Sequence, residues 1–189
     1  MRKLVLQINI SLDGFVATSE GKLDWMLPET DKKQIELLKA LTDRTGVIIL
    51  GRKMAIESIP HWEKVAKSQK ENPEVEFAKF FVKTPKVVFS KTIKNEIGEN
   101  TEVEDGSLKD RVKKLKEKSE KDIIVYGGAR FVGSLIEQSL IDELNLFVHP
   151  VSLGSGLPIF KKEQKFKIVK SEIYENGIVL HQYKIATDG

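Results

Sequence analysis

Residues 122–138 read DIIVYGGARFVGSLIEQ. An apolar run from Ile123 meets two adjacent glycines, Gly127 and Gly128. A helical pattern follows, with Phe131, Val132, Leu135 and Ile136 on one stripe. A short unalternating run suits a strand covered on both faces. The glycines allow two readings. One is a tight turn that needs φ > 0, which glycine reaches without steric cost. The other is close approach of a ligand to the N-terminus of the helix, where unpaired N–H groups and the helix dipole favour a phosphate.

The same pattern recurs on both sides of this stretch. Further strand-like runs lie at 3–10, 46–51 (GVIILG), 86–90 (KVVFS), 122–126 and 143–149 (ELNLFVH). Helical periodicity fills 31–43 (Ile35, Leu38, Leu41), 107–118 (Leu108, Val112, Leu115) and 129–140. Strands alternating with helices predict a mostly parallel sheet flanked on both faces. Residues 166–186 break the rule, with two strands around Asn176-Gly177, a strong hairpin signal. The expected fold is therefore a three-layer α/β domain whose mostly parallel central sheet ends in an antiparallel hairpin. One domain over 1–189 is expected, with 60–85 as a loop-and-helix excursion.

Composition narrows the function classes. The chain has 189 residues, 40% hydrophobic and 31% charged, as in ordinary globular proteins. Lys plus Arg total 31 against 28 Asp plus Glu, too small an excess to call for a nucleic-acid partner. The basic stretch 109–121 carries an apolar stripe and reads as an amphipathic helix with a solvated face. Cysteine is absent, which excludes disulfides and thiolate sites and fits a cytoplasmic protein. Three scattered histidines give no reason to expect a metal. Leu4, Leu6, Ile8 and Ile10 alternate along the first strand, so MRKLVLQINI is no leader peptide, and no run is long enough to span a membrane.

Three segments end strands with ligand-ready chemistry. In Gly51-Arg52-Lys53-Met54, two cations open a helix and oppose its dipole, a conflict that a bound anion resolves; two solvated surface cations are the plain alternative. Ser90-Lys91-Thr92 closes another strand with two hydroxyls and a cation, or simply makes a turn. The third is the diglycine turn with Ala129, Arg130 and Phe131. All fall at carboxyl ends of strands, the edge where open α/β sheets bind ligands. Together they suit a dinucleotide with an extra phosphate on its adenosine ribose. Neither G-x-G-x-x-G nor a P-loop is present, which disfavours a regular Rossmann domain or an NTPase.

The order of these landmarks resembles the dihydrofolate reductase superfamily, and most closely the C-terminal reductase domain of bifunctional riboflavin-biosynthesis enzymes. The matching segments are Ser11-Leu12-Asp13-Gly14-Phe15-Val16-Ala17, Leu23-Asp24-Trp25, Gly51-Arg52-Lys53, Phe89-Ser90-Lys91, Val125-Tyr126-Gly127-Gly128-Ala129 and Leu153-Gly154-Ser155-Gly156-Leu157-Pro158-Ile159-Phe160. They span residues 4 to 160. The resemblance implies a dihydrofolate-reductase-like fold and an NADPH cofactor. It places Val16 and Ala17 at the nicotinamide carboxamide, and Arg52, Lys53, Ser90 and Lys91 at the 2′-phosphate end. Gly127 to Phe131 would receive the pyrophosphate, and the Gly127–Gly128 peptide would be cis. Two positions depart from the pattern. Asp31 is offset by one from the carboxylate that holds the pterin ring in true dihydrofolate reductases, and Met54 replaces a hydroxyl residue.

The remaining candidates follow from the chemistry. Hydride transfer needs a proton as well, and Asp31 and then Asp13 are the candidate donors. Either can instead be structural, Asp31 as an acid at a helix start and Asp13 in an Asp-Gly turn. Asn9 and Trp25 are candidate substrate contacts, while His61, His149 and His181 read as packing or strand-end residues. The expected activity is NADPH-dependent reduction of a pyrimidine- or pterin-type small molecule, with reduction of 5-amino-6-(5-phosphoribosylamino)uracil as the specific expectation. Dihydrofolate reduction is the alternative, and a non-catalytic nucleotide- or RNA-binding module a distant third. The hairpin leaves a sheet edge to cover, which makes a homodimer plausible.

Overall fold

The computed structural model describes residues 1–28, 31–69, 72–94 and 97–186. Within them the chain runs β1 (Leu4–Ser11), α1 (Lys32–Asp43), β2 (Thr45–Gly51), α2 (Arg52–Ala66), α3 (Pro73–Lys83), β3 (Lys86–Phe89) and β4 (Thr101–Glu104). It continues α4 (Leu108–Lys118), β5 (Asp122–Val125), α5 (Ala129–Glu137), β6 (Glu143–His149), β7 (Phe166–Ile173) and β8 (Val179–Ile185). The eight strands form one sheet in the order β4-β3-β2-β5-β1-β6-β8-β7. The first six are mutually parallel, and β8 then pairs antiparallel with both β6 and β7. This is the expected α/β architecture with its antiparallel end.

Strand alternation divides the core between two faces. Ile49, Ile123 and Val125 pack on one side with Val112 of α4 and Val132, Leu135 and Ile136 of α5. Ile48, Leu50 and Ile124 pack on the other with Leu41 of α1, Ala55 and Ile59 of α2 and Phe81 of α3. These two apolar layers bury both faces of the central strands, so GVIILG and DIIV need no polar alternation. The hairpin is covered less: Phe166 and Tyr183 pack against the first layer, and Tyr174, Ile178 and Leu180 join Phe147 in a small third cluster.

Several details differ from the sequence reading. The helix that opens at Arg52 runs 15 residues, into the segment expected as a loop-and-helix excursion, and carries Pro60 in its interior. Proline costs a helix one hydrogen bond and usually interrupts it. Here Trp62 packs its ring 4.8 Å from Phe77 and 6.2 Å from Phe81 on α3. That apolar contact holds the turn beyond the proline. Strand β4, TEVE, has no apolar run and was not expected; it pairs parallel with β3 from Lys86↔Thr101 to Phe89↔Glu104. Helix α5 stops at Glu137 rather than 140, because Ser139 adopts a left-handed φ of 54°.

Lys86 opens β3 from a fully buried position. Its Nζ donates to the carbonyl oxygens of Phe81, Val82 and Thr84 at 2.9, 3.0 and 2.9 Å, capping the end of α3. Burial pushes its pKa below the ordinary lysine value.

Candidate active site

Strands β3, β2 and β5 are neighbours and parallel, so their carboxyl tips share one stretch of the sheet edge. The tips touch. Phe131 of α5 lies so close to Gly51 that a Cβ there would stand 2.7 Å from the Phe131 Cβ. The Phe131 ring is also 5.4 Å from that of Phe89, at the end of β3. From α2, the Met54 side chain closes to 3.8 Å of where a Cβ on Gly127 would sit. Gly51, Met54, Phe89, Gly127 and Phe131 therefore form one floor, from which Arg52, Lys91, Thr92 and Arg130 project as exposed residues.

The helix starts above this floor are open. Gly51 caps α2 and Gly128 caps α5, and neither offers a side chain to the first N–H groups. The other three helices differ, since Asp31, Asn72 and Ser107 each accept from a backbone N–H of the first turn. Open N–H groups beside exposed cations could hold an anion. Lys53 makes only a loose exposed pair with Glu57 at 4.0 Å. Among the described residues, Arg52, Lys91 and Arg130 form no ion pair.

The expected cis bond between the two glycines is not formed: the Gly127–Gly128 peptide is trans. The turn comes from φ instead. Gly128 sits at φ 86°, ψ 89°, which a side chain would strain, so the glycine is required by the backbone path. Ser90 is buried, and its Oγ accepts from Thr92 N at 3.2 Å and Ile93 N at 3.0 Å. It shapes the turn that presents Lys91 and Thr92.

The loop after β1 folds back over the edge. Val16 N donates to Leu157 O at 3.0 Å and Leu157 N to Ala17 O at 2.9 Å, zipping this loop to the segment after β6. Val16 and Ala17 are consequently buried. Gly156 lies so close beneath that a Cβ would meet Ala17 O at 2.4 Å. Further along, Gly21 brings the loop beside Lys53, whose Nζ is 3.4 Å from where a Cβ on Gly21 would stand. The loop thus bridges the tip of β1 and the start of α2.

Asp13 and Asp31 are both committed to the protein. Asp13 accepts from Ser11 Oγ at 2.7 Å, Ser152 Oγ at 2.8 Å, Leu153 N at 3.1 Å and Gly154 N at 2.7 Å. The Ser11 hydroxyl foremost, with the other donors, holds its pKa well below the usual carboxylate range. Asp31 caps α1 through Lys33 N at 2.8 Å and Gln34 N at 3.1 Å, and its other oxygen accepts from Glu175 N at 2.8 Å. The Glu175 bond is the main cause of its lowered pKa. Both stay anionic at neutral pH and have no proton to donate there.

Asn9 and Trp25 meet at a residue the sequence reading gave no role. His149, at the tip of β6, is buried between them. Its Nδ1 accepts from Leu27 N at 3.1 Å, so Nε2 carries the proton and donates to Asn9 Oδ1 at 3.0 Å. The Trp25 ring stands edge-on, 5.3 Å away. Burial lowers the His149 pKa, keeping the ring neutral. The only sequence signal was its position at the carboxyl end of a buried strand. Tyr126 is a second such residue. Its hydroxyl is buried without a partner among the described residues, beside Phe77 at 5.5 Å between ring centroids, and burial raises its pKa far above the ordinary tyrosine value. By contrast, His61 packs on Trp62 and lines a shallow surface hollow between α2 and α3.

The fold is a mostly parallel sheet with glycine-opened helix starts at the neighbouring tips of β2 and β5. The chain belongs to the RibD C-terminal domain family, whose model matches residues 2–180. It is 32% identical over 182 residues to the uncharacterized protein YyaP of Bacillus subtilis, covering 94% of this chain and 92% of that protein. It is 27% identical over 192 residues to the riboflavin biosynthesis protein RibD of Aquifex aeolicus, covering 88% of this chain but 53% of that longer protein. The same fold occurs in the diaminohydroxyphosphoribosylaminopyrimidine deaminase/5-amino-6-(5-phosphoribosylamino)uracil reductase of Thermotoga maritima. That structure superimposes with a TM-score of 0.68 at 18% identity, covering 98% of this chain and 57% of that one. Among the described residues no group of acids and histidines could hold a metal, and no helix is long and apolar enough to cross a membrane.

Proposed function

We propose that this chain is an NADPH-dependent reductase of a ribosylamino-pyrimidine. Its best-supported substrate is 5-amino-6-(5-phosphoribosylamino)uracil, the compound in the Thermotoga relative's name. The observation that carries the reading is the joined floor of Gly51, Phe89 and Phe131, with two uncapped helix starts beside it. It fits a cofactor with two phosphate regions. Gly128 and the first N–H groups of α5 would take the pyrophosphate. Arg52, Lys53 and Lys91 would take the 2′-phosphate, with Thr92 and the Ser90 turn setting their positions. Val16 and Ala17, pinned to Leu157, would meet the carboxamide.

When bound, the nicotinamide supplies the hydride. The chain would hold the reactants together and exclude water. Asp13 and Asp31 act in this reading as ties for the loops around the cleft, and the proton comes from solvent. Trp25 and Asn9, set by His149, would line the substrate side. Dihydrofolate reduction gains no support, because both oxygens of Asp31 already accept backbone N–H groups.

The test is thermal unfolding with each nicotinamide cofactor, followed by turnover. NADPH is expected to raise Tm well above the shift given by NADH at equal concentration. Reduced-cofactor absorbance should then fall when the ribosylamino-pyrimidine is added. Equal shifts from the two cofactors would overturn the 2′-phosphate assignment, and no shift from either would overturn the reductase reading.

A further inference from the structure

The sheet face turned toward α1, α2 and α3 carries polar side chains that the fold leaves unused. Val5 of β1 and Ile124 of β5 pack into that layer, so alternation puts Gln7, Asn9 and Tyr126 on the same face. β1 and β5 pair in parallel from Leu4↔Ile123 to Leu6↔Val125, which brings Tyr126 level with Gln7, just before Asn9. His149 joins them from β6, opposite Ser11. The open groups here are donors. Tyr126 Oη and Trp25 Nε1 are buried without a partner among the described residues. Asn9 accepts from His149 through Oδ1, and its Nδ2 donates to no described residue.

Tyr126 carries an oxygen that packing does not need. Its ring stands edge-on to Phe77 within the second apolar layer, a place phenylalanine would fill as well. An unbonded buried hydroxyl lowers stability, and folded proteins keep few of them. Burial also holds this phenol protonated at any working pH, so it can donate a hydrogen bond but not release its proton. Met54, which lies over the adjoining Gly127, is an unbranched side chain able to turn aside and uncover the hydroxyl.

Resting on the reductase reading above, we propose that Tyr126 sets substrate specificity: its hydroxyl donates to a ring carbonyl oxygen of the bound pyrimidine. A neutral donor beside Asn9 Nδ2 and Trp25 Nε1 suits a dioxopyrimidine, whose edge carries carbonyl acceptors. It does not suit the amidine edge of a pterin, which calls for a free carboxylate. Asp13 and Asp31 are both taken.

Tyr126→Phe keeps the ring and removes the oxygen. The variant should unfold at the native Tm or above it, and NADPH should shift that Tm as in the native chain. Its kcat/KM for 5-amino-6-(5-phosphoribosylamino)uracil should fall about 3- to 10-fold, the loss of one neutral hydrogen bond. Sulfur in place of each ring oxygen in turn makes a weaker acceptor. One of these two analogues should cost the native chain a similar factor and Tyr126→Phe nothing further. Tyr174→Phe removes another unbonded phenol, in the hairpin cluster, and should leave turnover unchanged.

Native turnover by Tyr126→Phe would overturn the inference, as would a Tm well below the native one or an equal loss in Tyr174→Phe. With the NADPH shift intact, each of those results leaves the reductase reading standing. A native chain that takes NADPH but leaves this pyrimidine unreduced overturns the inference together with the substrate. One that shows neither shift nor turnover removes the reading beneath both.

Discussion

Along the carboxyl edge of the sheet, the tips of β3, β2 and β5 and the tips of β1 and β6 are treated in opposite ways. At β1 and β6 the hydrogen-bonding groups of the acidic and imidazole side chains are spent. Asp13 takes four donors, His149 uses both ring nitrogens, and Asp31 takes three backbone N–H groups beyond the β1 loop. At β3, β2 and β5 polar groups are left over, as uncapped helix starts beside cations with no ion pair among the described residues. A buried polar group without a partner costs stability, whereas an exposed donor kept open costs little and remains free for a ligand. In the proposed function the first region is the scaffold of the cleft, and the second its anion-binding wall.

The comparison can be broken at four points. Gly51→Val carries the largest effect, since its Cβ would fall 2.7 Å from that of Phe131. Forcing α5 away should cost about 1–3 kcal/mol in urea unfolding and abolish the NADPH-induced rise in Tm. Arg52→Ala should leave the free protein's stability unchanged. It should remove a charge-assisted contact worth about 1.5–3 kcal/mol, weakening NADPH on the order of 10- to 100-fold with NADH unaffected. Calorimetric titration with both cofactors reads that difference directly.

Ser107→Ala tests the capped class. Its Oγ accepts from Asp110 N, so the variant should lose about 1 kcal/mol of stability while binding NADPH as before. Equal damage to cofactor binding would erase the distinction between the two kinds of helix start. The smallest effect is a slope with pH. His149 has a folded-state pKa below its ordinary value of 6.5, so the unfolded chain binds its proton more readily. Its contribution is complete above that value and is lost as pH falls from 6.5 toward the folded pKa. His149→Gln should flatten the urea midpoint between neutral and mildly acidic pH, the midpoint series being measured beside the native chain.

Much of this molecule was legible in its residues. GVIILG and DIIVY announced buried parallel strands, Asn176-Gly177 the hairpin, and the Gly-Arg-Lys and diglycine turns the open helix starts. Other features left no local trace. TEVE is a strand because β3 offers it an edge, and Pro60 stays helical because Trp62 reaches the aromatic residues of α3. The roles of Asp13 and His149 depend on partners about 140 and 122 residues away in the chain. No window of sequence contains both ends of such a bond.

By itself, the order of amino acids determined the alternation of strand and helix, the hidden faces of the central strands and the glycines where a helix begins without a cap. Periodicity and backbone freedom are local properties, and each residue carries them wherever the chain goes. Only the folded arrangement decided which tips become neighbours, that the two glycines turn through φ rather than through a cis bond, and which carboxylates are consumed as ties. Those outcomes rest on contacts between distant segments, where packing and hydrogen-bond satisfaction outweigh local preference.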